Sequence, residues 1–268
     1  MTRVLFITGA SRGIGRAIAH RFAREKAWIA LAAKTDTPHP KLEGTIHTVA
    51  KEVEQLGGRA LPLVVDVRDE EQIQHAIAET VDAFGKLDIL VNNASAISLS
   101  DTLATSMKRY DLMQAVNARA TFACSQAAIP HLRKSDSPHI LTLSPPLSMD
   151  KKWFAPHLAY TISKFGMSMC TLGLAEELKS YGIAVNSLWP KTTIATDAIR
   201  VHFPDAIFKA SRTPDIVADA AYWILTQSAK FLSGHFFIDE EVLTNAGIHD
   251  FSVYAIDPAV EPYQDLFL

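Results

Sequence analysis

Short apolar runs alternate with longer amphipathic segments along nearly the whole chain. The short runs have the length of buried strands and lie at 4–8, 28–33, 60–65, 87–91, 139–143, 183–188 and 235–238. The longer segments place apolar residues at i, i+3 and i+4, as amphipathic helices do, and lie near 14–26, 45–57, 70–84, 103–133, 160–181 and 215–228. This alternation predicts an α/β fold, a single doubly wound Rossmann domain over residues 1–268 with a seven-stranded parallel sheet and helices on both faces.

Ligands of such a fold bind at the carboxyl ends of the strands, so the residues after each apolar run are the first candidates for a site. After the first run comes Thr8-Gly-Ala-Ser-Arg-Gly-Ile-Gly15, which leads into a helix. Its glycines permit a tight turn and a close backbone approach, and the free N–H groups of the helix start suit a pyrophosphate. Because a strand precedes this turn and a helix follows it, we predict a dinucleotide-binding site.

Tyr160 and Lys164 lie one helical turn apart in a later predicted helix. A free tyrosine has a pKa of about 10 and is a poor acid or base at neutral pH. A lysine on the same helical face stabilises the phenolate and lowers that pKa. The pair therefore suits proton transfer to or from a substrate oxygen. Such a pair in isolation is usually an ordinary part of an amphipathic helix, but this one follows a dinucleotide turn.

The TGxxxGxG spacing resembles the short-chain dehydrogenase/reductase family, and further landmarks follow in the order of that family over residues 3 to about 240. They are Asp66 for the adenine pocket, Asn92-Asn-Ala-Ser95 for the NNAG turn, Asn117 for the structural and proton-relay asparagine, Tyr160 and Lys164 for the YxxxK pair, and Pro190 after the sixth strand. The resemblance implies an NAD(P)-dependent oxidoreductase in which Lys164 also holds the nicotinamide ribose. The cofactor-binding residues that it implies are Gly9, Ser11, Arg12, Gly13, Ile14, Gly15, Lys34, Asp66, Val67, Asn93, Ala94, Ser95, Tyr160, Lys164, Pro190 and Thr192.

The end of the second strand favours NADP over NAD. Where NAD-binding proteins of this fold place an acidic residue for the ribose 2′-OH, a basic residue can accept the 2′-phosphate of NADP. This chain has Lys34 there, with Arg12 in the glycine turn as a second phosphate partner and Asp36 two residues further into the loop. The alternative interpretation is a solvent-exposed Lys34, which leaves the missing carboxylate unexplained.

The family resemblance also implies a serine that hydrogen-bonds the substrate carbonyl, one residue past the final serine of the fifth strand. That position is occupied by Pro145, which has no hydroxyl. Ser144 and Ser148 are the nearest substitutes, and the two prolines after Ser144 favour an extended backbone there. We expect Ser144 to join Tyr160, Lys164 and Asn117 as a catalytic residue. The alternatives are that Ser148 does so, or that Ser144 merely ends the strand.

Three segments outside the main pattern have expected roles. Residues 35–44, with two prolines and a glycine, are predicted to form an irregular loop on the adenosine side. Residues 191–212 follow Pro190, where the family carries its substrate-covering lid, and residues 245–268 form a C-terminal extension. The apolar face of the lid, which a packed helix pair would share, comprises Ile194, Ile199, Val201, Phe203, Ile207 and Phe208.

A narrower resemblance points to one branch of the family. The stretches AAKTDTPHPKLEGTIHT, NNASAISL, ILTLSPPLS and LWPKTTIAT are similar to segments of that branch. Its longer members continue into a sterol-carrier domain. Because this chain ends at Leu268, we expect that lipid-binding domain to be absent.

Composition excludes several kinds of partner. A net charge of -3 gives no electrostatic reason to expect nucleic acid or an anionic membrane, and no apolar run is long enough to span a bilayer. The two cysteines, Cys124 and Cys170, cannot form a disulfide framework. The histidines, His39 among them, show no metal-ligand spacing, so we assign no metal. No leader segment precedes the first strand, and we expect a cytoplasmic protein.

Two classes of function remain. The favoured one is an NADP-dependent oxidoreductase acting on a small apolar ketone or secondary alcohol, a class that includes lipid-derived substrates. The alternative is a low-activity NADP-binding sensor or scaffold, which the intact Tyr160 and Lys164 argue against and Pro145 mildly favours. The family resemblance also implies a homodimer or homotetramer, built from the long helices at 103–133 and 160–181.

Overall fold

A parallel sheet forms the centre of the molecule. The computed structural model describes residues 2–38, 42–230 and 232–268. Residues 39–41 of the predicted 35–44 loop, with His39 among them, therefore lie outside the described part. Seven strands pair in the order β3-β2-β1-β4-β5-β6-β7, all parallel, which confirms the predicted fold class. The strands are β1 Val4–Thr8, β2 Trp28–Ala33, β3 Arg59–Val64, β4 Ile89–Asn92, β5 His139–Leu143, β6 Ala184–Trp189 and β7 Phe236–Ile238.

Helices cover both faces of the sheet. They are α1 Gly13–Ala23, α2 Ile46–Gln55, α3 Glu70–Phe84, α4 Met107–Met113, α5 Ala120–Leu132, α6 Leu158–Glu177, α7 Asp197–His202, α8 Asp205–Lys209, α9 Asp215–Thr226 and α10 Asp239–Asn245. One apolar core lies under α1, α2, α9 and α10, and a second lies under α3, α5 and α6. Alternate residues of β1 enter the two cores, Leu5 and Ile7 the first and Val4 and Phe6 the second, because successive side chains of a strand point to opposite faces.

The predicted helix at 103–133 is interrupted. Its first regular turn begins only after Ser106, whose hydroxyl accepts a hydrogen bond from the N–H of Arg109 and so caps α4. Between α4 and α5 the chain forms a π-helical turn, Gln114–Arg119, which contains Asn117. Because a π-helical turn shifts the backbone hydrogen bonds by one residue, the apolar periodicity does not reveal it.

The chain after β6 and the segment 255–268 meet at the carboxyl end of the sheet. Thr192 bridges Gln264, and Arg212 bridges Ala255. The short helices α7 and α8 lie in the predicted lid. These segments therefore form one wall over the strand ends. Over the described stretches of chain, we find no helix with the length and apolar character needed to cross a membrane.

Candidate active site

The glycine turn after β1 is held against the end of β4. The Thr8 hydroxyl accepts hydrogen bonds from the N–H groups of Asn93 and Ala94, both at 3.0 Å. The Asn93 side-chain amide donates in return to the carbonyl oxygens of Thr8, at 2.8 Å, and Gly9, at 3.1 Å. The Asn93 side chain therefore fixes the shape of the turn.

Two of the glycines are required by this shape. Gly9 has φ +66°, a left-handed conformation that residues with a side chain rarely adopt. A Cβ atom at Gly15 would lie 2.6 Å from both the Asn93 amide nitrogen and the Gly9 carbonyl oxygen. The turn leads directly into α1, and no side chain caps the start of this helix, so its first N–H groups can bind an anion.

A cleft of about 430 Å³ opens beside this turn, between the ends of β1, β2, β3 and β4. Most of the predicted cofactor-binding residues line it, namely Gly9, Ser11, Arg12, Gly13, Ile14, Lys34, Asp66, Val67, Asn93, Ala94 and Ser95. Gly15 supports the turn from behind, Pro190 lines a neighbouring cavity, and Thr192 lines neither space. The cleft, with its glycine turn and helix start, fits a dinucleotide.

Basic and acidic side chains both line the cleft near the end of β2, and the acidic ones are paired with basic ones. Lys34 and Arg12 line the cleft, and so does Asp197, whose carboxylate lies 3.8 Å from the Arg12 guanidinium. The Asp36 carboxylate pairs with His47, away from the end of β2. Asp66 is hydrogen-bonded to Arg68, which lowers the pKa of its carboxyl to about 2 against the opposing effect of burial. No free carboxylate is thus placed after β2 as NAD-binding proteins of this fold place theirs.

A second cavity of about 150 Å³ adjoins the cleft and contains the predicted acid/base pair. Tyr160 and Lys164 project into it from the first turns of α6. Residues that line both spaces are Ile14, Asn93, Ser95, Thr196 and Ala198. A ligand in the cleft can therefore meet a second ligand in the cavity.

Burial dominates the ionisation of the pair. It raises the pKa of Tyr160, and the carboxyl of Asp265 raises it further, which is opposite to the predicted direction. The reason is that Lys164 does not reach the phenol: its Nζ donates to the carbonyl oxygen of Leu143 at 2.7 Å and lies over the Trp189 ring. Burial also lowers the pKa of Lys164 to about 7, with Asp265 acting in the other direction. Tyr160 therefore remains a neutral phenol near neutral pH.

Asn117 stands behind the cavity and is fully buried. Its side chain exchanges two hydrogen bonds with the backbone of Ala96, at 2.7 and 2.9 Å, and donates to the Ser163 hydroxyl at 2.8 Å. Ser163 in turn donates to the carbonyl oxygen of Tyr160. Asn117 thus connects the loop after β4 to the first turn of α6, which positions the tyrosine.

Neither candidate serine faces the cavity. Ser144 is fully buried, and its hydroxyl is hydrogen-bonded at 2.9 Å to that of Ser187, which donates to Thr171. Ser148 accepts from the N–H of Asp150 in the following loop and is not among the cavity residues. The structure therefore corrects the expectation that Ser144 presents its hydroxyl to a substrate: β5 ends with this side chain turned into the interior beneath α6.

Part of the segment 191–212, the predicted lid, lines the cavity. Ile194, Ile199 and Phe203 line the cavity, whereas Val201 is exposed to solvent. Fewer residues of this segment thus line the cavity than the apolar pattern predicts. Among the described residues, no group of three or more histidine, cysteine, aspartate or glutamate side chains is placed to hold a metal ion.

The segment 263–268 was not predicted to be part of the site. Asp265 and Leu266 line the cavity, and Phe267 packs against Tyr160 and Trp189 with ring centroids 6.1 and 5.9 Å apart. The Trp189 indole donates to the Leu266 carbonyl oxygen at 2.8 Å. A short irregular segment has no periodicity to indicate its position, and only its apolar Leu-Phe-Leu ending suggests that it is buried.

The chain is similar to known proteins over nearly its full length. The family model for short chain dehydrogenases matches residues 3–205. Hydroxysteroid dehydrogenase-like protein 2 of Xenopus laevis is 58% identical over 98% of this chain, and that of Homo sapiens is 55% identical over the same share. The chain covers 63% of the length of each of these two relatives.

Solved structures show the same likeness. A crystal structure from Xanthomonas campestris superposes with a TM-score of 0.97 at 54% identity, covering 100% of this chain and 99% of the other. A short chain dehydrogenase from Mycobacterium thermoresistibile superposes with a TM-score of 0.94 at 48% identity, covering 99% and 95%. With the matched family model and the geometry of the turn, the cleft and the α6 pair, these similarities place the chain in the short-chain dehydrogenase family.

Proposed function

We propose that the chain is an NADP-dependent oxidoreductase that interconverts an apolar ketone and the corresponding secondary alcohol. The observation that carries this proposal is the position of Tyr160, whose phenol lines a cavity that adjoins the dinucleotide cleft. A bound nicotinamide supplies or accepts hydride at the carbon of the substrate. Tyr160 donates a proton to the substrate oxygen, because burial keeps the phenol protonated near neutral pH.

Lys164 has a separate part in this proposal. Its ammonium is anchored to the carbonyl oxygen of Leu143 at the end of β5, and both residues line the cavity. By its likeness to the family, Lys164 holds the nicotinamide ribose hydroxyls. Its pKa of about 7 means that the ammonium form is lost as the pH rises through neutrality. The side chain thus contributes charge to cofactor binding below that pH.

The preference for NADP rests on the adenosine end of the cleft. Lys34 lies just after β2, and Arg12 lies at the start of α1, with its Nη2 3.1 Å from the Gly44 carbonyl oxygen. Both side chains line the cleft, and Asp36 is paired with His47. A 2′-phosphate would meet the Lys34 ammonium and the Arg12 guanidinium, which lies 3.8 Å from the Asp197 carboxylate, and two cations favour NADPH.

The apolar substrate class rests on the cavity wall. Ile97, Leu143, Ile194, Ile199 and Phe203 all line the cavity. Apolar walls favour an apolar body around the reacting oxygen, since each buried CH₂ contributes about 0.8 kcal/mol. Lipid-derived ketones are therefore within the proposed class.

A low-activity NADP-binding sensor is the second candidate. One observation favours it: Pro145 takes the position of the expected serine, and neither Ser144 nor Ser148 faces the cavity. The test is the oxidation of NADPH with a panel of ketones, and the reduction of NADP⁺ with the matching alcohols. Turnover of any apolar pair supports the enzyme, whereas tight NADPH binding without turnover across the panel supports the sensor.

We also propose that the chain assembles into a homodimer or homotetramer through α5 and α6. One stripe of α6 exposes Leu158, Ile162, Met169 and Leu172, and α5 exposes Phe122. Helix α6 packs closely against the π-helical turn that leads into α5, since a Cβ at Gly166 would lie 2.7 Å from the Ala118 side chain. Exposed apolar residues on adjoining helices suit a self-association surface.

A further inference from the structure

Few polar side chains belong to the cavity alone. Those that line it without also lining the cofactor cleft are Tyr160, Lys164, Trp189 and Asp265. Lys164 donates to the Leu143 carbonyl oxygen, and Trp189 donates to that of Leu266. Tyr160 and Asp265 are therefore the two groups of this set left to meet the oxygen of a substrate.

Asp265 is held in position by its own segment. Its N–H donates to the Lys191 carbonyl oxygen at 3.0 Å, so the segment is tied to the chain just after β6. Its Oδ1 accepts from the N–H of Leu266 at 2.7 Å, and among the described residues Oδ2 has no hydrogen-bond partner. Phe267 fills the space between Tyr160 and Phe165 beside it. The carboxyl is thus oriented before any ligand arrives, with one oxygen free.

The surroundings of the carboxyl favour its neutral form. Burial raises the pKa of Asp265 to about 7, and the nearby Asp239 raises it further, while the Leu266 N–H and Lys164 lower it. A neutral carboxyl can donate a hydrogen bond as well as accept one. The charged and titratable groups near Asp265 are Tyr160 and Lys164 on α6 and Asp239 on α10, whereas the Lys191 ammonium pairs with Glu240.

We propose that Asp265 is a further catalytic residue, whose carboxyl donates a hydrogen bond from Oδ2 to the substrate oxygen beside Tyr160. This inference rests on the proposed function, because it names a second donor for the same carbonyl. It also accounts for Pro145: a chain without a serine at that position supplies the second donor from the segment 263–268. A donor aimed at the oxygen that gains charge stabilises the transition state.

The test is binding to the full chain saturated with NADP⁺, which cannot reduce a ketone. Calorimetric titrations compare acetophenone with ethylbenzene, its analogue without the carbonyl, at pH 6 and pH 8.5. The proteins are the wild type, Asp265→Ala, Asp265→Asn, and Asp257→Ala as a matched control in an exposed turn of the same part of the chain. Asn keeps a donor and the Oδ1 acceptor but does not titrate.

The wild type and Asp257→Ala should prefer acetophenone at pH 6, and the preference should fall about tenfold by pH 8.5, as one hydrogen bond is lost. Asp265→Ala should show the lower preference at both pH values, because Tyr160 alone then donates to the ketone, and Asp265→Asn should keep the higher one at both. Lys164 and Asp239 titrate in this range in all variants, and Tyr160 stays neutral in all of them. A pH effect that the wild type and Asp257→Ala show and Asp265→Asn lacks therefore belongs to Asp265.

An unchanged ketone preference in Asp265→Ala would overturn the inference, and so would a wild type that shows no preference at either pH. Should the Ala variant fail to fold, the pH dependence of the Asn variant decides: a preference that falls with pH as in the wild type would contradict the assignment. A wild type that oxidises no NADPH with any carbonyl refutes the proposed function instead. If the wild type turns over a ketone and substitutions of Asp265 leave that turnover unchanged, this inference is refuted and the proposed function stands.

Discussion

At the scale of single residues, burial decides how the acid/base pair ionises. Tyr160 is 5% exposed and Lys164 is 2% exposed. Burial disfavours the charged form of each, so it raises the pKa of the phenol and lowers that of the ammonium. The Lys164 ammonium donates to a backbone carbonyl oxygen and does not contact the phenol. Tyr160 is thus suited to giving a proton to a ketone oxygen.

The hydroxyl of Ser144 should matter for stability and not for turnover. Ser144→Ala removes one buried hydrogen bond but leaves Ser187 bonded to Thr171, so the free energy of unfolding should fall by about 1 kcal/mol. Turnover should stay within about twofold, because the hydroxyl lies outside the cavity. Urea unfolding and steady-state kinetics measure the two effects, with Ser148→Ala as the control. A loss of turnover of about 10²-fold would restore Ser144 as a donor to the substrate.

The charge of Lys34 should set the cofactor preference. The wild type should bind NADPH at least tenfold more tightly than NADH, about 1.4 kcal/mol, because Lys34 and Arg12 line the cleft where a 2′-phosphate would lie. Lys34→Asp should reverse the order, since a carboxylate repels the phosphate and accepts a ribose hydroxyl. Fluorescence titrations with both cofactors test this, with Lys51→Asp on the exposed face of α2 as the control. Equal affinities in the wild type would count against the NADP assignment.

At the scale of elements, the parts with a period or a fixed spacing could be predicted from the sequence. A period marks the strands, and a fixed spacing marks both the glycine turn and the pair on α6. In the structure the turn lines the cleft and the pair lines the adjoining cavity. The π-helical turn around Asn117 could not be predicted, because a shift of one hydrogen bond does not alter the apolar pattern. The position of Asp265 at the cavity could not be predicted either, because long-range packing and not local sequence brings it there.

A buried histidine at the start of β5, His139, should make the free energy of unfolding fall at low pH. His139 is fully buried there, and burial, with the charge of Arg3, lowers its pKa to about 4. Between pH 6.5 and 4 the unfolded chain binds a proton at this residue and the folded chain does not. The free energy of unfolding therefore has its full contribution from neutral His139 only above that range. It should fall by about 3 kcal/mol on descending through it.

Urea unfolding at a series of pH values tests this prediction. His139→Gln should show a smaller loss of stability on acidification than the wild type, whatever its stability at pH 7. The exposed His75→Gln serves as the control and should follow the wild type. Parallel curves for the wild type and His139→Gln would show that His139 is not responsible.

At the scale of the whole molecule, the apolar surface of α5 and α6 should hold copies of the chain together. Light scattering at micromolar concentration should show more than one chain per particle. Met169→Glu and Leu172→Glu place charges on this surface and should shift the particle toward a monomer. Val253→Glu, at an exposed apolar position away from these helices, is the control. A wild type that is monomeric would refute the assembly proposal.

The central claim, that Tyr160 is the proton donor of an NADP-dependent oxidoreductase, is tested most directly by NADPH oxidation with apolar ketones. Tyr160→Phe removes only the hydroxyl and should lower turnover by about 10²–10⁴-fold. The Kd of NADPH should remain within about twofold of the wild type. Tyr181→Phe, at a half-exposed tyrosine outside the cavity, should behave as the wild type. A Tyr160→Phe variant that turns over at the wild-type rate would contradict the account.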